Sequence, residues 1–170
     1  SRNLTYDWVV YNSNLGATKY LVLNRTDAEG SLSEVWNDTE PTSSVFSVGS
    51  NLATNQSADP KIAYCFAEVA GFSKFGSYAG NGSTTGPTID CGFEPAFVLI
   101  KTATGYITNW YILDNKRDAT NPRDNVLLPN ASASEIVDSA AKVDFNATSF
   151  QLKSGDIGLN GGSGTYIYMA

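Results

Sequence analysis

The chain has 170 residues, 42% of them hydrophobic and 20 of them aromatic, with only 16% charged. That length is enough for a buried core without disulfide staples, and the composition excludes a disordered chain, which needs low hydrophobicity and high charge density. A formal net charge of −6 with no run of Lys or Arg argues against a nucleic-acid partner, and the absence of His removes Ser-His-Asp triads and histidine zinc sites.

No apolar run approaches the roughly 20 residues a membrane helix needs, so membrane insertion is not expected. Ser, Thr, Asn and Gly dominate over good helix formers, which points to an all-β protein. In chain order, β-branched and aromatic runs predict strands at Tyr6–Tyr11, Lys19–Leu23, Ser44–Val48, Ile62–Val69, Thr88–Asp90 and Ala96–Lys101. Trp110–Leu113, Asn125–Leu128, Ser149–Leu152 and Thr165–Met169 follow. Only Thr26–Val35 and Ser132–Val143 have a weak helical pattern. Gly80-Asn81-Gly82, Pro129-Asn130 and Asn160-Gly161-Gly162 mark turns between strands. Cys65 and Cys91 each lie in an apolar run, and the sequence leaves open whether they pair or stay free thiols.

The second part of the chain lies over the first. Trp8-Val9-Val10 matches Trp110-Tyr111-Ile112, and Leu21-Val22-Leu23-Asn24 matches Leu127-Leu128-Pro129-Asn130. Phe46 matches Phe150, and Asn55 with Ile62 matches Asn160 with Ile167, all at offsets between 102 and 106. The expectation is an internal repeat of about 104 residues, giving jelly-roll-like antiparallel β-sandwich units in tandem. Residues 1–70 would be a first unit lacking its N-terminal part, and residues 71–170 a second. The matched aromatics Trp8, Trp110, Phe46 and Phe150 are expected in the core of each unit.

Three aromatics, Trp36, Tyr78 and Tyr106, lie in or beside polar stretches. Exposed rings beside Asn, Asp and Thr can stack on a sugar while neighbouring groups bond its hydroxyls. Asp114, Arg117 and Asp118 form the densest charge cluster and are the polar candidates for such a glycan site; otherwise they make a solvated loop with local ion pairs. A polysaccharide depolymerase would need two carboxylates from Asp114, Asp118, Asp124 and Glu94 across a cleft. No calcium-loop or P-loop spacing occurs, and no metal site or cofactor is expected. Asn-x-Ser/Thr occurs at Asn3, Asn24, Asn37, Asn55, Asn81, Asn130 and Asn146. These are glycan acceptors if the chain is secreted by a eukaryote, or else turn formers, which a many-stranded protein needs in quantity.

Asp7-Trp-Val-Val-Tyr11, Ala63-Tyr-Cys-Phe-Ala-Glu68, Gly71-Phe-Ser-Lys-Phe-Gly-Ser-Tyr78, Gly92-Phe-Glu-Pro-Ala-Phe-Val-Leu-Ile-Lys101 and Tyr166-Ile-Tyr-Met-Ala170 resemble a repeat module of tailed-bacteriophage virion surface proteins. The likeness is to tail-fibre and appendage proteins of marine and cyanobacterial phages. It implies a non-enzymatic structural role on a virion, host attachment with a cell-surface glycan or protein as ligand, contacts to other virion proteins, and a homo-oligomer such as a trimer. A capsid decoration or cement protein is the alternative, with Phe72, Phe75 and Phe93 as its candidate apolar patch.

Overall fold

The computed structural model describes residues 4–170, so Asn3 lies outside the described residues. Strands dominate, in antiparallel sheets, as expected of an all-β chain. In chain order they are β1 (Val9–Val10), β2 (Lys19–Val22), β3 (Gly30–Ser31), β4 (Phe75–Ala79), β5 (Thr88–Asp90) and β6 (Phe97–Thr104). Then come β7 (Trp110–Asp114), β8 (Asn125–Val126), β9 (Ile136–Val137), β10 (Val143–Phe145), β11 (Ser149–Leu152) and β12 (Thr165–Met169). Two single turns of helix, α1 (Ser33–Trp36) and α2 (Leu52–Asn55), are shorter than the predicted helical stretches, and the second stretch holds β9 instead.

Residues 74–170 form two facing sheets. One has the order β4-β12-β6-β7 and the other β10-β11-β5. Period-two alternation sends Val98 and Ile100 of β6, Phe150 and Leu152 of β11, and Tyr166 and Tyr168 of β12 into one shared core. β12 lies between two partners, pairing Ile167 with Ser77 on one side and with Lys101 on the other.

The opposite face of the larger sheet is covered as well. Leu99 and Ala103 of β6, Trp110 of β7 and Ile167 of β12 pack against Val10 and Leu21 from β1 and β2. That is why β6 is buried on both faces and reads as a continuous apolar run. Hydrogen bonds fix the same junction. The Trp110 indole Nε1 donates to the carbonyl of Val22 (2.9 Å), and the fully buried Lys101 ammonium donates to the carbonyls of Thr26 (3.0 Å) and Thr108 (2.8 Å).

Residues 4–73 are built differently. β1, β2 and β3 make a small sheet that shelters Ala17, Val35 and Trp36. Beyond α1, apart from α2 and a single bridge between Val69 and Ser73, the chain up to residue 73 forms no ladder, so the strands predicted at Ser44–Val48 and Ile62–Val69 do not form. Local geometry nevertheless recurs between the two parts. The amide of Trp8 donates to Asn24 Oδ1 (2.9 Å), and that of Trp110 to Asn130 Oδ1 (2.8 Å). β2 pairs with β3 as Lys19 with Ser31, and β8 with β9 as Asn125 with Val137. Asn55 Nδ2 donates to the Gly49 carbonyl at 2.9 Å, as Asn160 Nδ2 does to Ser154.

Candidate functional site

The polar candidates are engaged inward. Asp114, at the end of β7, accepts hydrogen bonds from the amides of Lys116 and Arg117 (both 2.9 Å) and pairs with the Arg117 guanidinium at 2.6 Å. Burial alone would push its carboxyl up, but these bonds hold it below the usual range. Arg117 also reaches Glu135 (2.7 Å) and the carbonyl of Ile112 (3.2 Å), tying β7 to the loop before β9. Asp118 Oδ2 takes the amide of Asp124 at 2.8 Å. These three residues are neighbours, but they hold a loop rather than converge on an open cleft. Among the described residues, no group of three or more His, Cys, Asp or Glu side chains could hold a metal ion.

The aromatic candidates are scattered, and two are not exposed. Trp36 is buried in the small N-terminal cluster, with its indole donating to the carbonyl of Lys19 (3.1 Å) and Tyr11 set edge-on against it. Tyr78 lies on β4 with its ring stacked on Tyr166 at 5.1 Å, and its hydroxyl donates to the carbonyl of Leu159 (2.7 Å). Polar sequence neighbours misled here, because each ring carries one polar atom and a backbone carbonyl satisfies it inside. Tyr106 is half-buried; its ring lies where a side chain on Gly161 would sit, and its hydroxyl accepts the amide of Ser163 (3.3 Å). The set Trp36, Tyr78, Tyr106, Asp114, Arg117 and Asp118 is not gathered into one site.

The expected core aromatics split by half of the chain. Trp110 and Phe150 are 2% and 0% exposed, whereas Trp8 and Phe46 are 44% and 46% exposed. Ile167 is 4% exposed and Ile62 48%. In residues 74–170, Phe150 is covered by β5 and the facing sheet, whereas Trp110 and Ile167 flank β6 and are covered by Val10 and Leu21 of the N-terminal part; residues 4–73 contain no strands equivalent to β4, β5 and β6 among those described.

What the uncovered positions line is a cleft of about 1230 Å³. Phe46, Val48, Trp8, Ile62 and Tyr64 face it from the N-terminal half, and Trp110 lies at its other side. The Trp8 and Tyr64 rings stack at 6.2 Å, and Phe66 meets Phe75 at 6.5 Å. From Lys61 to Glu68, no backbone amide donates a hydrogen bond among the described residues. Apolar side chains with an unpaired extended backbone make a protein-docking surface by physical character, since a soluble monomer rarely leaves such an area open. Of the suggested apolar patch, Phe72 is exposed at the tip of the turn joining the halves, while Phe75 and Phe93 are half-buried. Cys65 is exposed beside this cleft and Cys91 is buried in the sandwich; both are free thiols.

Sequence reasoning missed three structural residues. Asn160 is fully buried and links two turns, Lys101 is fully buried at the junction, and Gly76 lies under the ring of Tyr168. For Lys101 a signal existed in the run Phe97–Thr104, where the lysine occupies an alternate position that must share a face with Leu99 and Ala103.

A family model described as a domain of unknown function (DUF7483) matches residues 1–170, and the chain belongs to that family. No curated protein and no solved structure matches it.

Proposed function

We propose that this member of the DUF7483 family is a non-enzymatic structural protein of a bacteriophage virion surface, acting by docking to other virion proteins in a tail fibre or appendage that contacts the host. The observation that carries this reading is the apolar cleft with its unpaired strand backbone. Asp114, Arg117, Asp118, Trp36 and Tyr78, which would otherwise take a glycan, are committed to internal bonds. Host attachment then follows from many copies on one particle, where weak contacts add through multivalency. The resemblance of the motifs around Trp8, Gly71 and Gly92 to phage virion modules supplies the virion setting.

The same cleft also suits a capsid decoration protein, which binds only shell subunits. Position on the particle separates the two. In a cryo-EM reconstruction of a virion that carries this chain, density for it in a tail appendage is the expected result. Density on the shell lattice identifies a decoration protein, and absence from purified particles overturns the virion assignment.

The architecture belongs to the same proposal: residues 1–70 and 71–170 are two units of one repeat of about 104 residues in tandem, each a jelly-roll-like sandwich when complete. Support comes from the recurrence of the Trp8–Asn24 bond as Trp110–Asn130 and of the Lys19–Ser31 register as Asn125–Val137. The turn bonds at Asn55 and Asn160 recur at equal length. Geometry recurring at the offsets of the sequence match is what duplication of one folding unit produces.

A further inference from the structure

We propose that the cleft in the N-terminal half is an acceptor for three β-strands with the pattern of residues 75–104, donated by a polypeptide whose own copy of that pattern is not folded onto a unit. The proposal rests on the repeat reading given above and is independent of where on a particle the protein sits.

The second unit supplies the template. There β12 is an inner strand with β4 on one side and β6 on the other, and β11 is an inner strand between β10 and β5. At the repeat offset, residues 60–64 stand for β12 and residues 45–48 for β11. Thr42 donates its amide to the Val45 carbonyl (2.8 Å) just as Asn146 does to Ser149 (2.8 Å), so the turn leading into each segment is already formed. What is missing around residues 45–48 and 60–64 is the set β4, β5 and β6, the continuous stretch Phe75 to Thr104.

Exposure at the matched positions measures the gap. Phe46 against Phe150 goes from nearly half exposed to fully buried beneath β5 and the facing sheet; Ile62 against Ile167 and Trp8 against Trp110 go the same way where β6 lies between the pair and Val10 and Leu21 pack over it. Tyr64 and Phe66, at 70% and 68% exposed, extend the bare line along the same segment. Its amides from Lys61 to Glu68 donate no hydrogen bond among the described residues, and of its carbonyls Ala67 is engaged by the Ser73 hydroxyl (2.8 Å), so a donor pairing with residues 60–66 gains ladder bonds and apolar burial together.

Chemistry identifies the donor more closely. It must place an alternating apolar strand such as Val98 and Ile100 against Phe46 and Val48, and present a small or apolar outward face like Leu99 and Ala103 toward Trp8 and Ile62. A second folded copy of this chain cannot supply it, because its own β6 is held between β12 and β7 by five register pairs on each side.

The test adds a synthetic peptide of the sequence 75–104 to the full chain and follows amide hydrogen exchange together with tryptophan fluorescence. Expected are saturable binding, slowed exchange at residues 45–48 and 60–66 by tenfold or more, and a change in the Trp8 environment. Ile62→Asp and Tyr64→Asp alter only exposed side chains, so the fold persists, and each is expected to weaken binding at least tenfold. No slowing at those residues overturns the proposal. So does slowing confined to 165–169, which would be strand exchange in the second unit. Slowing at 60–66 without peptide, rising with protein concentration, overturns it in favour of a second copy as occupant. Failure of the repeat reading shows separately, as unlike effects of Asn24→Ala and Asn130→Ala on exchange in their own halves.

Discussion

At the scale of single residues, polar side chains inside the protein carry much of its specificity. Asn160 is fully buried, and its Nδ2 reaches Asn81 Oδ1 (2.7 Å), the Ser83 carbonyl (2.9 Å) and the Ser154 carbonyl (2.9 Å). Its Oδ1 accepts the amide of Asn81 (2.9 Å). Replacing it by Ala leaves several of these groups without partners, and each such group costs about 1–3 kcal/mol. Asn160→Ala should therefore lower unfolding free energy by about 3 kcal/mol, checked by urea denaturation; a loss under about 1 kcal/mol would mean water replaces the amide. Asn24→Ala and Asn130→Ala each remove the bond to a Trp amide and one to a neighbouring side chain, Asp7 or Asn109, and should cost about 1–2 kcal/mol apiece, measured the same way.

Lys101 adds a pH signature. Burial lowers its pKa to about 8, with Asp27 opposing, from an unfolded value near 10.5. Between those values the unfolded chain holds a proton the folded one has released, so stability rises with pH. The Lys101 contribution from pH 8 to 10 is expected to reach up to about 2 kcal/mol, given about 1.4 kcal/mol per unit. From about pH 9 this contribution is opposed, because burial raises the Cys91 thiol from 9.0 to about 11 and the unfolded chain ionises first. Burial raises the pKa values of Tyr78, Tyr111, Tyr166 and Tyr168 over their unfolded values, and the stability they contribute is lost as the unfolded chain ionises first. Melting temperature against pH should therefore peak near 9, and Lys101→Met should abolish the rise.

Elements show how the sheets were legible and where they were not. β5, β11 and β12 lie where β-branched and aromatic runs predict them, because each has apolar residues to bury, on both faces in β12, and neighbours to satisfy its backbone. Ser44–Val48 and Ile62–Val69 have the same pattern yet form no ladder, since strand formation needs a partner that local sequence cannot supply. β4 was missed for the opposite reason: Gly76 breaks the pattern. A Cβ there would lie 2.6 Å from the ring of Tyr168, its register partner, so the glycine makes room for the aromatic. Of the glycan set, Asp114, Arg117 and Asp118 are neighbours at the end of β7 and in the loop after it, and local sequence does not show that their bonds point inward.

Comparing two glycines tests this packing argument. Gly30 lies under Tyr20 as Gly76 lies under Tyr168, with ring atoms 2.5 Å from an added Cβ. Tyr168 is almost fully buried and meets Phe150 edge-on at 5.1 Å, whereas Tyr20 is half-buried and can swing aside. Gly76→Ala should cost about 1–3 kcal/mol and Gly30→Ala distinctly less. Equal losses by thermal denaturation would show that ring mobility does not set the penalty.

Over the whole molecule, stability is divided unequally. Residues 74–170 have two facing sheets around one large core, while residues 4–73 lean on the outer face of that sandwich through Val10, Leu21, Trp110 and Lys101. Within residues 4–73, the stretch 61–68 should open first, because its amides are unpaired and its rings exposed, and such segments open at the lowest free energy. Chymotrypsin should accordingly cut the native chain first after Tyr64, Phe66 or Phe72, all three more than two-thirds exposed. The aromatic sites on β4, β7, β11 and β12 should resist, since cutting there requires the sandwich to open. The early products are thus an N-terminal piece ending between residues 64 and 72 and a protected remainder reaching Ala170, identified by mass spectrometry. First cuts after Trp110 or Tyr111 would mean that the larger sheet, not the bare segment, is the least stable part of the fold. If a donor strand set occupies the cleft, the same peptide that slows exchange at residues 60–66 should suppress the cuts at Tyr64 and Phe66. Cleavage at Phe72, in the turn beyond the acceptor strand, should continue.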